Sequence, residues 1–126
     1  MINAIIIDDE PQAIISLQQE IKLYCPKIHI VGTADNVESG VELIKNTPNL
    51  ELLFLDIQLR TGVGFDILEQ VNHLNFKTIF TTAYSDFALK AIKFSALDYL
   101  LKPVDGEELK VAIQKIENAS STDPTK

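Results

Sequence analysis

The stretch Ala4-Ile5-Ile6-Ile7-Asp8-Asp9-Glu10-Pro11 decides the fold. Four apolar residues in a row, three of them β-branched, favour a strand. The lack of alternation implies that both faces of that strand are covered. The run stops at three acids, and Pro11 supplies the fixed φ of a first helical position. A doubly covered strand followed at once by a helix is the repeating unit of a parallel α/β sheet.

The same unit recurs outward from this point. Strands are expected over Ala4–Ile7, Ile28–Gly32, Leu52–Leu55, Thr78–Phe80 and Tyr99–Leu101. Between them, helical spacing aligns Ile14, Leu17, Ile21 and Tyr24, then Val37, Val41 and Ile44, and finally Leu109, Ala112, Ile113 and Ile116. Start signals are Asp9 before Pro11, Asp66 near the start of Ile67–Leu74, Ser85 or Asp86 before Ala88, and Asp105 before Glu108. Five βα units call for a doubly wound α/β fold, a parallel sheet with helices on both faces. Such sheets bind ligands at the carboxyl ends of their strands, near the point where strand order reverses.

Size and charge narrow the function. The chain has 126 residues, 46% hydrophobic and 23% charged, which suits one globular domain that needs no disulfide or structural metal. Eleven Lys and Arg against eighteen Asp and Glu give a net charge of −7, a poor match for a nucleic-acid backbone, so no direct nucleic-acid contact is expected of this domain. A single cysteine, Cys25, excludes an internal disulfide and a Cys-based zinc cluster. With neither a signal peptide nor a membrane-length apolar run, no membrane contact is expected and the cytoplasm is the default location. Residues 1–118 are expected to form the domain, and the Ser- and Thr-rich residues 119–126 a tail or linker.

Reading off the strand ends gathers distant residues: Asp8, Asp9 and Glu10 from the first strand, Asp56 from the third, Thr81 and Thr82 from the fourth, and Lys102 from the fifth. Three aspartates at one mouth repel one another and resist desolvation unless a cation joins them. An oxygen-only donor set without His or Cys favours Mg²⁺. Lys102 and the Thr82 hydroxyl suit a tetrahedral anion at the same place. Asp56 stands alone at its strand end and is the natural nucleophile for a phosphoryl group, whereas Asp8 and Asp9 are adjacent and suited to sharing a hydrated cation, Asp9 directly and Asp8 partly through water. Taken singly, each feature has a plainer explanation: helix-capping acids at Asp8-Asp9-Glu10, a loop acid at Asp56, a strand threonine at Thr82 and a solvated Lys102. Their joint occurrence at strand ends carries the reading. His29, His73 and Cys25 have no partners at ligand spacing and are assigned no role.

These landmarks resemble the CheY-like receiver domain of two-component response regulators. The similarity runs over roughly residues 2 to 117, through Asp8-Asp9-Glu10-Pro11, Phe54-Leu55-Asp56-Ile57, Thr81-Thr82-Ala83 and Asp98-Tyr99-Leu100-Leu101-Lys102-Pro103. The resemblance implies a flavodoxin-like (βα)5 three-layer sandwich with strand order 2-1-3-4-5. It implies a sensor histidine kinase as phosphoryl donor to Asp56, and Mg²⁺ held by Asp8, Asp9, Asp56 and the backbone carbonyl of Gln58. Thr82, the Ala83 amide and Lys102 would meet the phosphoryl oxygens, and Tyr99 would turn inward in the switch. A cis bond before Pro103, and control of phosphoryl lifetime by Gln58 and Tyr84, belong to the same set of expectations. Thr82-Ala83-Tyr84 with Ala88, Ala91, Phe94 and 96–101 is similar to the LytTR subgroup. That similarity implies a DNA-binding output domain after the linker and a homodimer through the fourth helix, fifth strand and fifth helix. Arg60 stands where many receivers carry proline, which leaves the conformation of Ile57–Gly64 open.

Three rivals are separable. A phosphohydrolase of the haloacid dehalogenase type needs a second acid two residues after the nucleophile, and that position is Gln58. A flavodoxin-like carrier needs a Gly/Ser/Thr-rich phosphate loop after the first strand, where this chain has acids. A docking module that has lost its chemistry would lack one of Asp9, Asp56, Thr82 or Lys102, and all four are present.

Overall fold

The fold is taken from a computed structural model, which describes residues 1–71 and 73–120. The strands of the main sheet are β1 (Ile2–Ile7), β2 (Ile28–Ala34), β3 (Leu52–Leu55), β6 (Lys77–Thr82) and β7 (Asp98–Leu101), and a short ribbon is formed by β4 (Gln58–Leu59) and β5 (Gly62–Val63). The helices are α1 (Pro11–Tyr24), α2 (Val37–Lys45), α3 (Gly64–Val71), α4 (Ala88–Lys93) and α5 (Gly106–Ser120). The five main strands are all parallel, in the order β2-β1-β3-β6-β7, which is the expected 2-1-3-4-5 once the ribbon is set aside.

The continuous apolar runs follow from two covered faces. Ile5, Ile7, Leu53, Leu55 and Phe80 enter one core with Val41 and Ile44 of α2, Phe65, Ile67 and Leu68 of α3, and Ala91 of α4. The alternate residues Ala4, Ile6, Leu52, Phe54 and Ile79 enter the other, with Leu17 and Ile21 of α1 and Leu109, Ala112, Ile113 and Ile116 of α5. Period-two alternation therefore sorts apolar residues between two cores instead of between core and water. Burying a Leu, Ile or Phe side chain contributes about 1.5–3 kcal/mol each, so the sheet centre, from Ala4 to Ile7 and Leu52 to Leu55, anchors the fold.

Some caps and some boundaries differ from the sequence expectation. Helix α1 begins at Pro11 as expected, but its cap position is Glu10, whose side chain makes no cap bond, so Asp9 does not cap it and Pro11 does the pre-organising. Helix α4 begins at Ala88 as expected, but the cap position is Phe87 and no side chain caps it, so neither Ser85 nor Asp86 serves. Helix α3 covers Gly64–Val71 instead of Ile67–Leu74. Asp66 lies inside its first turn and accepts a hydrogen bond from the Val63 N–H at 3.2 Å. Asp105 caps α5 as expected, accepting from Glu108 N–H at 3.1 Å. Helix α5 runs to Ser120, two residues into the expected tail, and residues 121–126 lie outside the described residues. Among the described residues, no helix is long and apolar enough to cross a membrane.

Candidate functional site

Strands β1 and β3 are adjacent at the sheet centre, with Ile7 beside Leu55, so the residues that follow them, Asp8 and Asp56, face one another across the switch point. Both carboxylates are buried, Asp8 at 3% exposure and Asp56 at 4%. Lys102, after β7, reaches between them: its Nζ lies 2.6 Å from Asp8 Oδ2 and 3.0 Å from Asp56 Oδ2. One ammonium thus neutralises half of a buried pair, and the remaining negative charge is the feature that invites a second cation.

The strand ends share a local device. Asp8 Oδ1 accepts from the Glu10 N–H at 2.9 Å, Asp56 Oδ1 from the Gln58 N–H at 3.3 Å, and Thr82 Oγ1 from the Tyr84 N–H at 3.3 Å. Each strand finishes in a side-chain oxygen bonded to the backbone two residues on, the geometry by which Asp and Thr turn a chain. The turn fixes one oxygen of each carboxylate and leaves the other for Lys102.

Electrostatics at the mouth follow from burial. Desolvation raises the Asp56 carboxyl above its ordinary value; the Lys102 hydrogen bond and charge pull it back, and the Asp8 charge pushes it up again. For Lys102, burial alone acts downward, but the two carboxylates outweigh it and the ammonium is held above its usual value. Tyr99 is half-buried at the edge of the site, and its hydroxyl donates to the backbone carbonyl of Tyr84. Burial raises its hydroxyl, a backbone bond to Phe87 opposes this, and the charges of Asp86 and Asp56 add to the rise.

The candidate residues do not all converge equally. Asp8, Asp56 and Lys102 form one bonded group. Asp9 is half-exposed and its carboxylate has no bonding partner among the described residues, while its carboxylate oxygen lies within 4.8 Å of oxygens from Asp8 and Glu10. Thr82 is fully buried, engaged with the Tyr84 backbone, and Ala83 and Tyr84 are exposed. Gln58 is exposed on β4 with its N–H turned to Asp56. The Lys102–Pro103 peptide bond is cis. A groove of about 590 Å³ opens beside Asp8, Thr81, Ala83 and Lys102, walled by Ala13 and Ser16 of α1.

Hard oxygen donors, two buried carboxylates sharing one ammonium and an unpartnered Asp9 make a donor set that fits Mg²⁺. Two features had no signal in the sequence. Gly64 lies so close to the phosphoacceptor candidate that an added Cβ would fall 2.4 Å from the Asp56 carbonyl oxygen, and its N–H donates to Ile57 at 2.6 Å. The ribbon of β4 and β5 occupies the segment whose conformation the sequence left open, with Arg60 at its tip.

Residues 4–114 match the response regulator receiver domain family. The chain is 39% identical over 116 residues to the sensory transduction protein LytT of Enterococcus faecalis, covering 90% of this chain and 47% of that protein. It is 36% identical over 127 residues to the sensory transduction protein LytR of Staphylococcus epidermidis, covering 98% and 49% respectively. Among solved structures, the response regulatory domain of protein mrkE from Klebsiella pneumoniae superposes with a TM-score of 0.83 at 25% identity, covering 94% of this chain and 97% of that one. The chain spans about half the length of the curated relatives it matches.

Proposed function

The chain belongs to the response regulator receiver domain family, in its LytT/LytR branch, and from that premise we propose that a sensor histidine kinase transfers a phosphoryl group to Asp56 in a Mg²⁺-dependent step. The observation that carries the proposal is the bonded group of Asp56, Lys102 and Asp8, with the open carboxylate of Asp9 beside it. Asp8, Asp9, Asp56 and the Gln58 carbonyl would hold the cation, which when bound offsets negative charge on the phosphoryl oxygens.

The chain's own groups do the rest. An Asp56 carboxylate oxygen forms the new P–O bond as the P–N bond of the donor phosphohistidine breaks. Lys102, already at hydrogen-bond distance from Asp56 Oδ2, meets a phosphoryl oxygen there. Thr82 exchanges its bond from the Tyr84 N–H for one to the phosphoryl group, and the Ala83 amide contributes another. Since the Tyr84 carbonyl receives the Tyr99 hydroxyl, a shift of that backbone reaches the β7 surface. Side chains at Gln58 and Tyr84 limit the access of hydrolytic water.

The domain would act as a signalling switch, with chemistry confined to its own phosphorylation and dephosphorylation. Its output would be a LytTR-type DNA-binding domain joined through residues 119–126, and the location would be cytoplasmic. Leu89 at 78% and Ile92 at 70% exposure on α4, with half-exposed Leu101 and Val111, support a homodimer through α4, β7 and α5.

Intact mass after incubation with a small phosphodonor and Mg²⁺ tests the proposal. One added phosphoryl group, lost in Asp56→Asn, is expected. Turnover of a phosphate ester without an adduct would indicate a hydrolase instead, and neither an adduct nor turnover would indicate a docking module.

A further inference from the structure

The β4–β5 ribbon is tied to three different connections at the mouth of the sheet. The Arg60 guanidinium donates to the backbone carbonyl of Asp9 at 3.4 Å, in the β1–α1 turn. Thr61 Oγ1 accepts from the Val37 N–H at 3.2 Å, at the start of α2. Val63 N–H is held by Asp66 at 3.2 Å, in the first turn of α3. Leu59 and Val63 seat the ribbon on the core, whereas Arg60 and Thr61 at its tip are exposed and are placed by these hydrogen bonds.

What the ribbon holds is the residue whose direction is otherwise undetermined. Asp8 is fixed through both oxygens, by the Glu10 N–H and by Lys102. The Asp9 carboxylate has no partner among the described residues, so its aim depends on its backbone. That backbone has a carbonyl hydrogen bond from the ribbon, and the ribbon's other end begins at Gln58, whose N–H is bonded to Asp56. The two halves of the expected cation site are therefore joined across the mouth by one side chain.

We propose that Arg60 is a positioning residue for the cation site, acting through the Asp9 backbone to aim its carboxylate. This rests on the Mg²⁺-binding reading above. Two physical effects of Arg60 oppose one another. Its positive charge repels a divalent cation, but the guanidinium is exposed and that repulsion is screened by solvent. Ordering a ligand before the cation arrives lowers the entropy lost on binding, and supporting groups around metal ligands commonly control affinity. The second effect dominates.

Calorimetric titration of the unphosphorylated protein with MgCl2 separates them, using Arg60→Met, which keeps the length and apolar stem, and Arg60→Lys, which keeps the charge and a donor. Arg60→Met is expected to weaken Mg²⁺ binding about fivefold, the worth of one modest hydrogen bond, with the melting temperature unchanged and part of the affinity restored in Arg60→Lys. Thr61→Val, which loosens the other side of the ribbon, is expected to weaken binding less. Unchanged or tighter binding in Arg60→Met would overturn the inference while leaving the receiver reading intact. Absence of Mg²⁺ binding by the unmodified protein would overturn both.

Discussion

The two halves of the sheet mouth are built with the same turn and differ in charge. At β1 and β3, Asp8 and Asp56 each bond to an N–H two residues on and are then bridged by Lys102. At β6 and β7, Thr82 makes the same turn, but its link to Tyr99 runs through the Tyr84 backbone, N–H on one side and carbonyl on the other. The first half is charged and electrostatically unfinished. In the second, the link from Thr82 to Tyr99 runs through single hydrogen bonds between uncharged groups. Charge added at the first half has a cheap route to rearranging the second, because a hydrogen bond to a neutral group contributes only about 1 kcal/mol net.

The largest effect that would sharpen this contrast comes from Lys102→Met. It leaves two buried carboxylates without their counter-charge and should lower stability at neutral pH by about 3 kcal/mol in chemical denaturation. The pH dependence carries a sign. Because the Lys102 pKa is raised in the folded state, its stabilisation is complete below the ordinary value of 10.5 and is lost as pH rises through the folded value. The gap between wild type and Lys102→Met should therefore close in strongly alkaline solution. A gap that stays constant there would break the assignment of the charged half.

Next in size is Gly64→Ala. Its methyl group would meet the Asp56 carbonyl oxygen, which is backbone and cannot rotate away, so a loss of about 2 kcal/mol is expected. Amide exchange should rise around residues 56–64 and leave β6 and β7 unchanged. The smallest effect is expected from Thr82→Val, which keeps the buried shape and removes the acceptor for Tyr84 N–H, at about 1 kcal/mol. Its distinguishing signature is a changed Tyr99 environment in NMR without any shift at Asp8. Equal disturbance of both halves would show that they are not separable.

How legible the molecule was depended on the range of the signal. Leu52-Leu53-Phe54-Leu55 read as a doubly covered strand because each residue has a core to enter, and β3 has those bounds. The ribbon was illegible, since strands of two residues carry no period. The starts of α1 at Pro11 and α4 at Ala88 were legible, but their caps were not, because neither helix uses a side-chain cap. At the mouth, the gathering of Asp8, Asp56, Thr82 and Lys102 followed from strand ends alone. The sharing of one ammonium by two carboxylates, the open state of Asp9 and the pressure of Gly64 on Asp56 are tertiary distances with no trace in residue spacing.

Of the carboxylates crowded into this mouth, Asp56 alone is proposed to receive the phosphoryl group. Borohydride reduces an acyl phosphate to an alcohol, so treating the phosphorylated protein with it and mapping peptides by mass marks the acceptor. Homoserine is expected at position 56 and nowhere else; homoserine at position 8 or 9 would contradict the assignment.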